Sequence, residues 1–125
     1  MGVKITLSSL ELSALRGATI PHSSLRTLSL ALRWRVYGLQ AWALGDDLEV
    51  VRCFQQSASA LAKQTLEWAV SMRLYGSALI RVQREVEGTF ALEKADATLE
   101  VLGVQPFSLE ELLEAEIARL ELDGA

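Results

Sequence analysis

The chain is poor in the residues that most often carry chemistry. Among its 125 residues are one cysteine and one histidine, and each scarcity removes a class of function. A lone Cys53 excludes an intrachain disulfide framework and a cysteine-based zinc site. His22 stands beside Pro21 with no partner near it in sequence, so a surface turn or a helix start suits it better than a role as base or ligand. No Glu-x-x-His pair occurs, which removes a di-iron site of the helical-bundle kind. Glycine-rich phosphate loops and serine-nucleophile motifs are missing too. Cys53, next to Phe54, has no base within reach in sequence and reads as a small buried filler.

Long charge-free apolar runs are also lacking. The nearest approach, from Leu28 to Leu44, contains Arg33 and Arg35, so no membrane span is expected. The opening Met1-Gly2-Val3-Lys4-Ile5 has no signal-peptide core, and a cytoplasmic location is expected. Acidic residues are scarce at one end and crowded at the other. Residues 1–45 hold five basic and one acidic side chain, whereas residues 88–125 hold two basic and nine acidic ones. That polarity is neutralised inside one fold or brings copies together.

What the chain has is helical periodicity, and only two prolines to interrupt it. No segment alternates with period two long enough to be a strand, so the fold class is all-α. Ser8-x-x-Glu11 is a capping box for a short helix over residues 9–16, which Gly17 stops. A second helix is expected over 23–44, apolar round most of its circumference and therefore wrapped by neighbours. Gly45 ends it, and Asp46-x-x-Glu49 opens the next helix after a connection short enough to force an antiparallel hairpin.

The strongest signal follows. Val51, Phe54, Ala58, Leu61, Thr65, Trp68, Met72, Tyr75, Leu79, Val82 and Val86 are spaced by threes and fours, and only Thr65 is polar. The spacing predicts one long helix over residues 47–87, about 60 Å in length. Gly76-Ser77 is its one expected kink. Gly88-Thr89 marks the next boundary, with a helix over 90–102 up to Gly103. After Pro106, Ser108-x-x-Glu111 caps a last helix over 109–122. These elements predict a single elongated helical bundle over residues 1–125, built on the long antiparallel hairpin.

Arg35-Val36-Tyr37-Gly38 returns as Arg73-Leu74-Tyr75-Gly76 at a spacing of 38, and the same register pairs Phe54 with Leu92. Such a period belongs to helical-hairpin repeats. Trp42-Ala43-Leu44-Gly45-Asp46, followed by Phe54 and Ala58, resembles a tetratricopeptide-type hairpin, in which small residues let two helices approach closely. Two stacked hairpins need a turn between Lys63 and Trp68. Lys63-Gln64-Thr65-Leu66-Glu67 offers neither glycine nor proline, and the single long helix is the expectation.

Around Leu66, Trp68, Val70, Met72 and Tyr75 the stripe widens into a full apolar ring, more than a two-helix contact needs. Trp34 and Trp42 with Arg33 and Arg73 supply the residue types that dominate binding hot spots. Glu110 and Glu114 lie on an acidic face that would suit a basic partner. The expected function is non-enzymatic: protein–protein interaction or assembly, as an oligomer or a subunit of a larger complex. No cofactor, metal or small-molecule substrate is expected. The alternatives are a small helical inhibitor, similar in helix-turn-helix texture to immunity proteins, and a small DNA-binding regulator. The acidic balance of the chain disfavours the last.

Overall fold

Hydroxyl and carboxylate side chains set most of the helix starts, and residues in the left-handed region set most of the ends. The structure, a computed structural model, describes residue 5, residues 7–112 and residues 114 and 118. Ser8 and Glu11 form both halves of a capping box at the start of α1 (Ser9–Leu15). Gly17 ends α1 at φ +83°. α2 (His22–Leu25) is a single turn after Pro21. Ser29 caps α3 (Leu30–Leu44), which stops at Gly45 with φ +75°. Asp46 caps α4 (Asp47–Ser59), Thr65 caps α5 (Leu66–Arg81), and α6 (Glu85–Val101) runs to Gly103. The Ser108 hydroxyl accepts from the Glu111 amide at 3.1 Å, and a seventh helix, α7, covers 109–112. The fold is all-α, with no strand among the described residues.

Four expectations are corrected. The helix over 23–44 is two helices, because the Ser29 hydroxyl caps Leu32 and the Thr27 hydroxyl donates to the Ser24 carbonyl. Short polar side chains here compete with the helical ladder for backbone groups. The long helix over 47–87 is broken at 60–65 and again at 82–84. At each break a glutamine takes φ +67°, Gln64 and then Gln83. The seam's one polar residue, Thr65, accepts from the Trp68 amide at 3.2 Å and donates to the Ala62 carbonyl at 2.7 Å. It is a cap. The boundary at Gly88-Thr89 lies instead at Gln83-Arg84, and Gly88 sits inside α6. Gly76 likewise lies within α5, away from any helix end. Most of the helix expected over 109–122 falls outside the described residues.

Two shorter hairpins therefore stand where one long one was expected. Helices α3 and α4 pack together, α4 packs on α5, α5 on α6, and α1 on α3. The 38-residue echo is visible in their packing. A Cβ on Gly38 would stand 2.4 Å from the Phe54 ring, and one on Gly76 would stand 2.8 Å from the Leu92 side chain. Phe54 and Leu92 are themselves 38 apart, as are the helix-ending residues Gly45 and Gln83. In the second hairpin the approach is closer still. A Cβ on Gly88 would lie 2.8 Å from the Gly76 carbonyl oxygen, so the backbones of α5 and α6 meet. Phe54, Leu39, Leu74, Leu79 and Leu99 are fully buried in the shared core.

Across this core runs one polar network. Arg35, only 3% exposed, donates five hydrogen bonds. Its Nη1 reaches Glu67 at 2.6 Å and Glu11 at 3.4 Å, and its Nη2 reaches the Glu67 carbonyl at 2.8 Å. Nε and Nη2 both donate to the Ser71 hydroxyl. Ser71 lies 2.8 Å from the hydroxyl of Ser57, which donates to the Ala31 carbonyl at 2.7 Å. Five N–H donors is the whole capacity of a guanidinium, and all are satisfied.

Two stability predictions follow from these features. Gln83→Gly relieves a left-handed side-chain residue and is expected to stabilise the chain by about 0.5–1 kcal/mol. Gly45→Gln, 38 residues earlier, is expected to cost a similar amount; urea midpoints at unchanged slope measure both. Arg35→Met strands Glu11 and Ser71 and is expected to cost about 3–5 kcal/mol. Arg35→Lys should not restore the loss, since three donors on a flexible stem cannot replace a planar fork. A midpoint for Arg35→Met within experimental error of the parent would refute the role given to this network.

Candidate binding groove

Helix α5 packs on both α4 and α6, and hollows open on one side of it: α4, the 60–65 turn, α5 and α6 line the first, and α5 and α6 line the second. On that side lie Trp68, Met72, Tyr75 and Leu79, whose spacing of four, three and four puts them on a single stripe. Two hollows open along it. One, of about 550 Å³, is lined by Leu61, Lys63, Trp68, Met72 and Lys94 among others. The next, of about 340 Å³, takes in Met72, Tyr75, Leu79, Val86, Phe90 and Lys94. Met72 and Lys94 belong to both, so the hollows form a single groove. From Trp68 to Leu79 its floor is about 16 Å long.

The groove is apolar with a sparse charged rim. Phe90 is 60% and Val86 is 86% exposed on the α6 wall. Lys94 Nζ lies 4.6 Å from the Phe90 ring centroid. Glu87 is taken by Arg84, whose Nη2 donates to it at 2.5 Å, and that hydrogen bond holds the Glu87 carboxyl below the usual range. Lys63 and Lys94 have no ion-pair partner among the described residues.

Trp68, Met72 and Tyr75, singled out from the sequence, come together here. The apolar ring they belong to is largely used up by the chain itself: Trp68 and Val70 are buried, and Leu66, the first residue of α5, keeps about a third of its surface. The other candidates lie elsewhere. Trp34, on α3, has the Arg52 guanidinium 5.1 Å above its ring and Tyr37 edge-on at 5.9 Å. Trp42 is covered by Arg81 at 4.3 Å, which also pairs with Asp47 at 3.0 Å, and Glu110 shares a separate hollow of about 430 Å³ with Trp42 and Arg81. Arg73 pairs with Asp96 at 2.6 Å and its Nε donates to the Phe107 carbonyl, fixing the α6–α7 connection on α5. Arg33 is half-buried on α3, and Glu114 is exposed. Sequence reasoning missed Lys63, Lys94 and Phe90 as members of a site. Phe90 follows Val86, the last residue of the seam, by one helical turn, a link hidden by the boundary drawn at Gly88.

No hydroxyl in the groove is hydrogen-bonded to a base, and no group of three or more His, Cys, Asp or Glu among the described residues could hold a metal ion. No helix among them is long and apolar enough to cross a membrane. His22 is exposed at the first position of α2. Cys53 is 1% exposed, and burial, with the Glu49 carboxylate beside it, pushes its thiol up to about 12.

The fold and the groove together define a stack of helical hairpins with an apolar channel along its second pair. The chain matches no family model, no curated protein and no solved structure.

The thiol gives this region a direct check. With a value near 12 the thiolate fraction at about pH 8 is on the order of one in ten thousand. The folded chain is expected to leave a chromogenic disulfide reagent unreacted, and to consume one equivalent once unfolded in guanidinium. Prompt reaction of the native protein would contradict the burial of Cys53.

Proposed function

We propose that the chain is a non-enzymatic interaction module, which takes a helical segment of a protein partner in the groove on α5 and so acts within an assembly. The observation that carries this reading is the pair of adjoining hollows beside the partly exposed Met72 and Tyr75, with Trp68 and Leu79 buried at their base and Val86 and Phe90 exposed on α6. A helix laid into such a channel buries its own apolar face against floor and walls at once. Apolar area removed from water contributes roughly 25 cal/mol per Å², so the exposed face of Phe90 is worth more in a complex than any rim contact.

The arginines support the same reading against a nucleic-acid partner. Arg35, Arg52, Arg73, Arg81 and Arg84 each pair with a carboxylate of the chain, which leaves no continuous basic face among them for phosphates. Nothing in the groove offers a nucleophile with its base, which is why an interaction role is preferred to catalysis.

A photo-crosslinking amino acid placed at position 90, in cells that make the protein, is expected to give a discrete protein adduct. The same amino acid at the exposed position 56, on the outer face of α4, should give at least about tenfold less. Val86→Glu, at a site 86% exposed, is expected to remove the adduct without unfolding the chain. Equal labelling from positions 90 and 56 would count against the groove.

A further inference from the structure

Resting on the groove reading above, we infer that its occupant is an acidic amphipathic segment of a protein partner, whose carboxylates pair with Lys63 and Lys94 while its apolar face fills the channel. Three observations carry this.

The first is the division of labour among the cations. Five arginines are committed to carboxylates within the chain, whereas Lys63 and Lys94 have no carboxylate partner among the described residues, and both line the same hollow. They are two of only three lysines in a chain of net charge −4. The second is the comparison between hairpins. On α4, Arg52 lies over Trp34 and is held by Glu49, with Nε to Oε2 at 3.0 Å. Thirty-eight residues on, Glu49 corresponds to Glu87 and Arg52 to Phe90, while the cation over an aromatic ring is now Lys94 over Phe90. Glu87 is occupied by Arg84. In the first hairpin the cation over the ring is thus tied to a carboxylate of the chain, whereas in the second the cation over Phe90 has no carboxylate partner among the described residues. The third is length. About 16 Å of floor corresponds to three turns of helix, room for anchors at spacings of three and four with acidic residues on the flanks.

An ammonium with no partner at the rim of an apolar channel favours an anion that the channel's low-dielectric walls then hold.

Selection from a random sixteen-residue peptide library on the immobilised full chain tests this. Phe90→Glu and the double variant Lys63→Glu/Lys94→Glu serve as counter-screens, and circular dichroism confirms that both are folded. Expected are binders with apolar residues spaced by three and four, an excess of Asp and Glu, and at least tenfold weaker affinity for the double lysine variant. Their affinity should also fall as salt rises from low to high concentration. Binders lost on Phe90→Glu but indifferent to the lysine variant, with no acidic excess, would overturn the acidic partner and leave the groove reading standing. If no binder is lost on Phe90→Glu, both fail. Binding of the chain to anionic vesicles in preference to acidic peptides overturns the inference. So does a concentration-dependent dimer, seen by light scattering, that Phe90→Glu dissociates.

Discussion

One buried guanidinium holds the helices in register. Removing Arg35 from water costs several kcal/mol before any partner is found, and only an arrangement that satisfies its whole donor set offsets that cost. The arrangement found draws its acceptors from α1, through Glu11, and from the first turns of α5, through Glu67 and Ser71. Ser71 passes the link to Ser57 on α4, and Ser57 returns it to the Ala31 carbonyl on α3. Four helices thus converge on one side chain. Apolar packing alone would tolerate a slide of α5 along α4 by a turn, because leucine and alanine surfaces are nearly degenerate. The guanidinium does not tolerate it, because a shifted α5 would leave charged groups buried without partners. Glu11 shows how tightly the parts are shared: one oxygen closes the capping box with Ser8, and the other receives Arg35.

With α5 fixed in this way, the repeat becomes structural. Gly38 gives Phe54 room on one hairpin, and Gly76 gives Leu92 room on the other, at the same spacing. The two hairpins then diverge in a consistent direction. The first covers its exposed aromatics with Arg52 and Arg81, both tied to carboxylates. The second brings its backbones together at Gly76 and Gly88 and leaves Phe90 and Val86 facing outward. Close approach of α5 and α6 on one side and separation of α4 from α6 on the other are two aspects of the same placement of α5.

Much of the local structure was legible. Ser8, Asp46 and Ser108 announce helix starts through the one property a cap needs, a short side chain that accepts from a free amide. Gly17, Gly45 and Gly103 announce ends because each takes a positive φ at no steric cost. The breaks at Gln64 and Gln83 carried no such mark. A glutamine in the left-handed region costs roughly 1–2 kcal/mol, and only the burial of the helices on either side makes that tolerable. Apolar periodicity could not reveal the first break, because Leu61 stays packed on the core through the turn and keeps the seam in phase. The readable trace was Thr65, the seam's single polar member, which followed the rule for caps in place of the rule for seams. Arg35 was legible as a charge that forbids a membrane span and as the start of the 38-residue echo, but not as the centre of a network, since its acceptors lie on segments brought near by tertiary folding. Trp68, Met72 and Tyr75 were found from the sequence, but their groove depends on the break at 60–65 and on the start of α6 at Glu85, which were not.

The contrast between arginine and lysine connects the scaffold to the groove. A guanidinium is planar, weakly hydrated and able to bind a carboxylate at two points, so it suits contacts that stay dry and fixed. An ammonium keeps a strong hydration shell on a flexible stem, and gives it up only when an anion is brought to it. The chain places arginine where helices must be held together and lysine where the apolar channel opens. Lys94 lies against Phe90 in the meantime, a contact that shields the ring partially and is easily released. An occupant that supplies carboxylates therefore exchanges a weak cation–ring contact for an ion pair and exposes the whole ring for burial in the same step. An occupant without them must bury the ring and leave the ammonium unpaired beside it. On the proposed reading, that difference, more than the area of the channel, would select between partners.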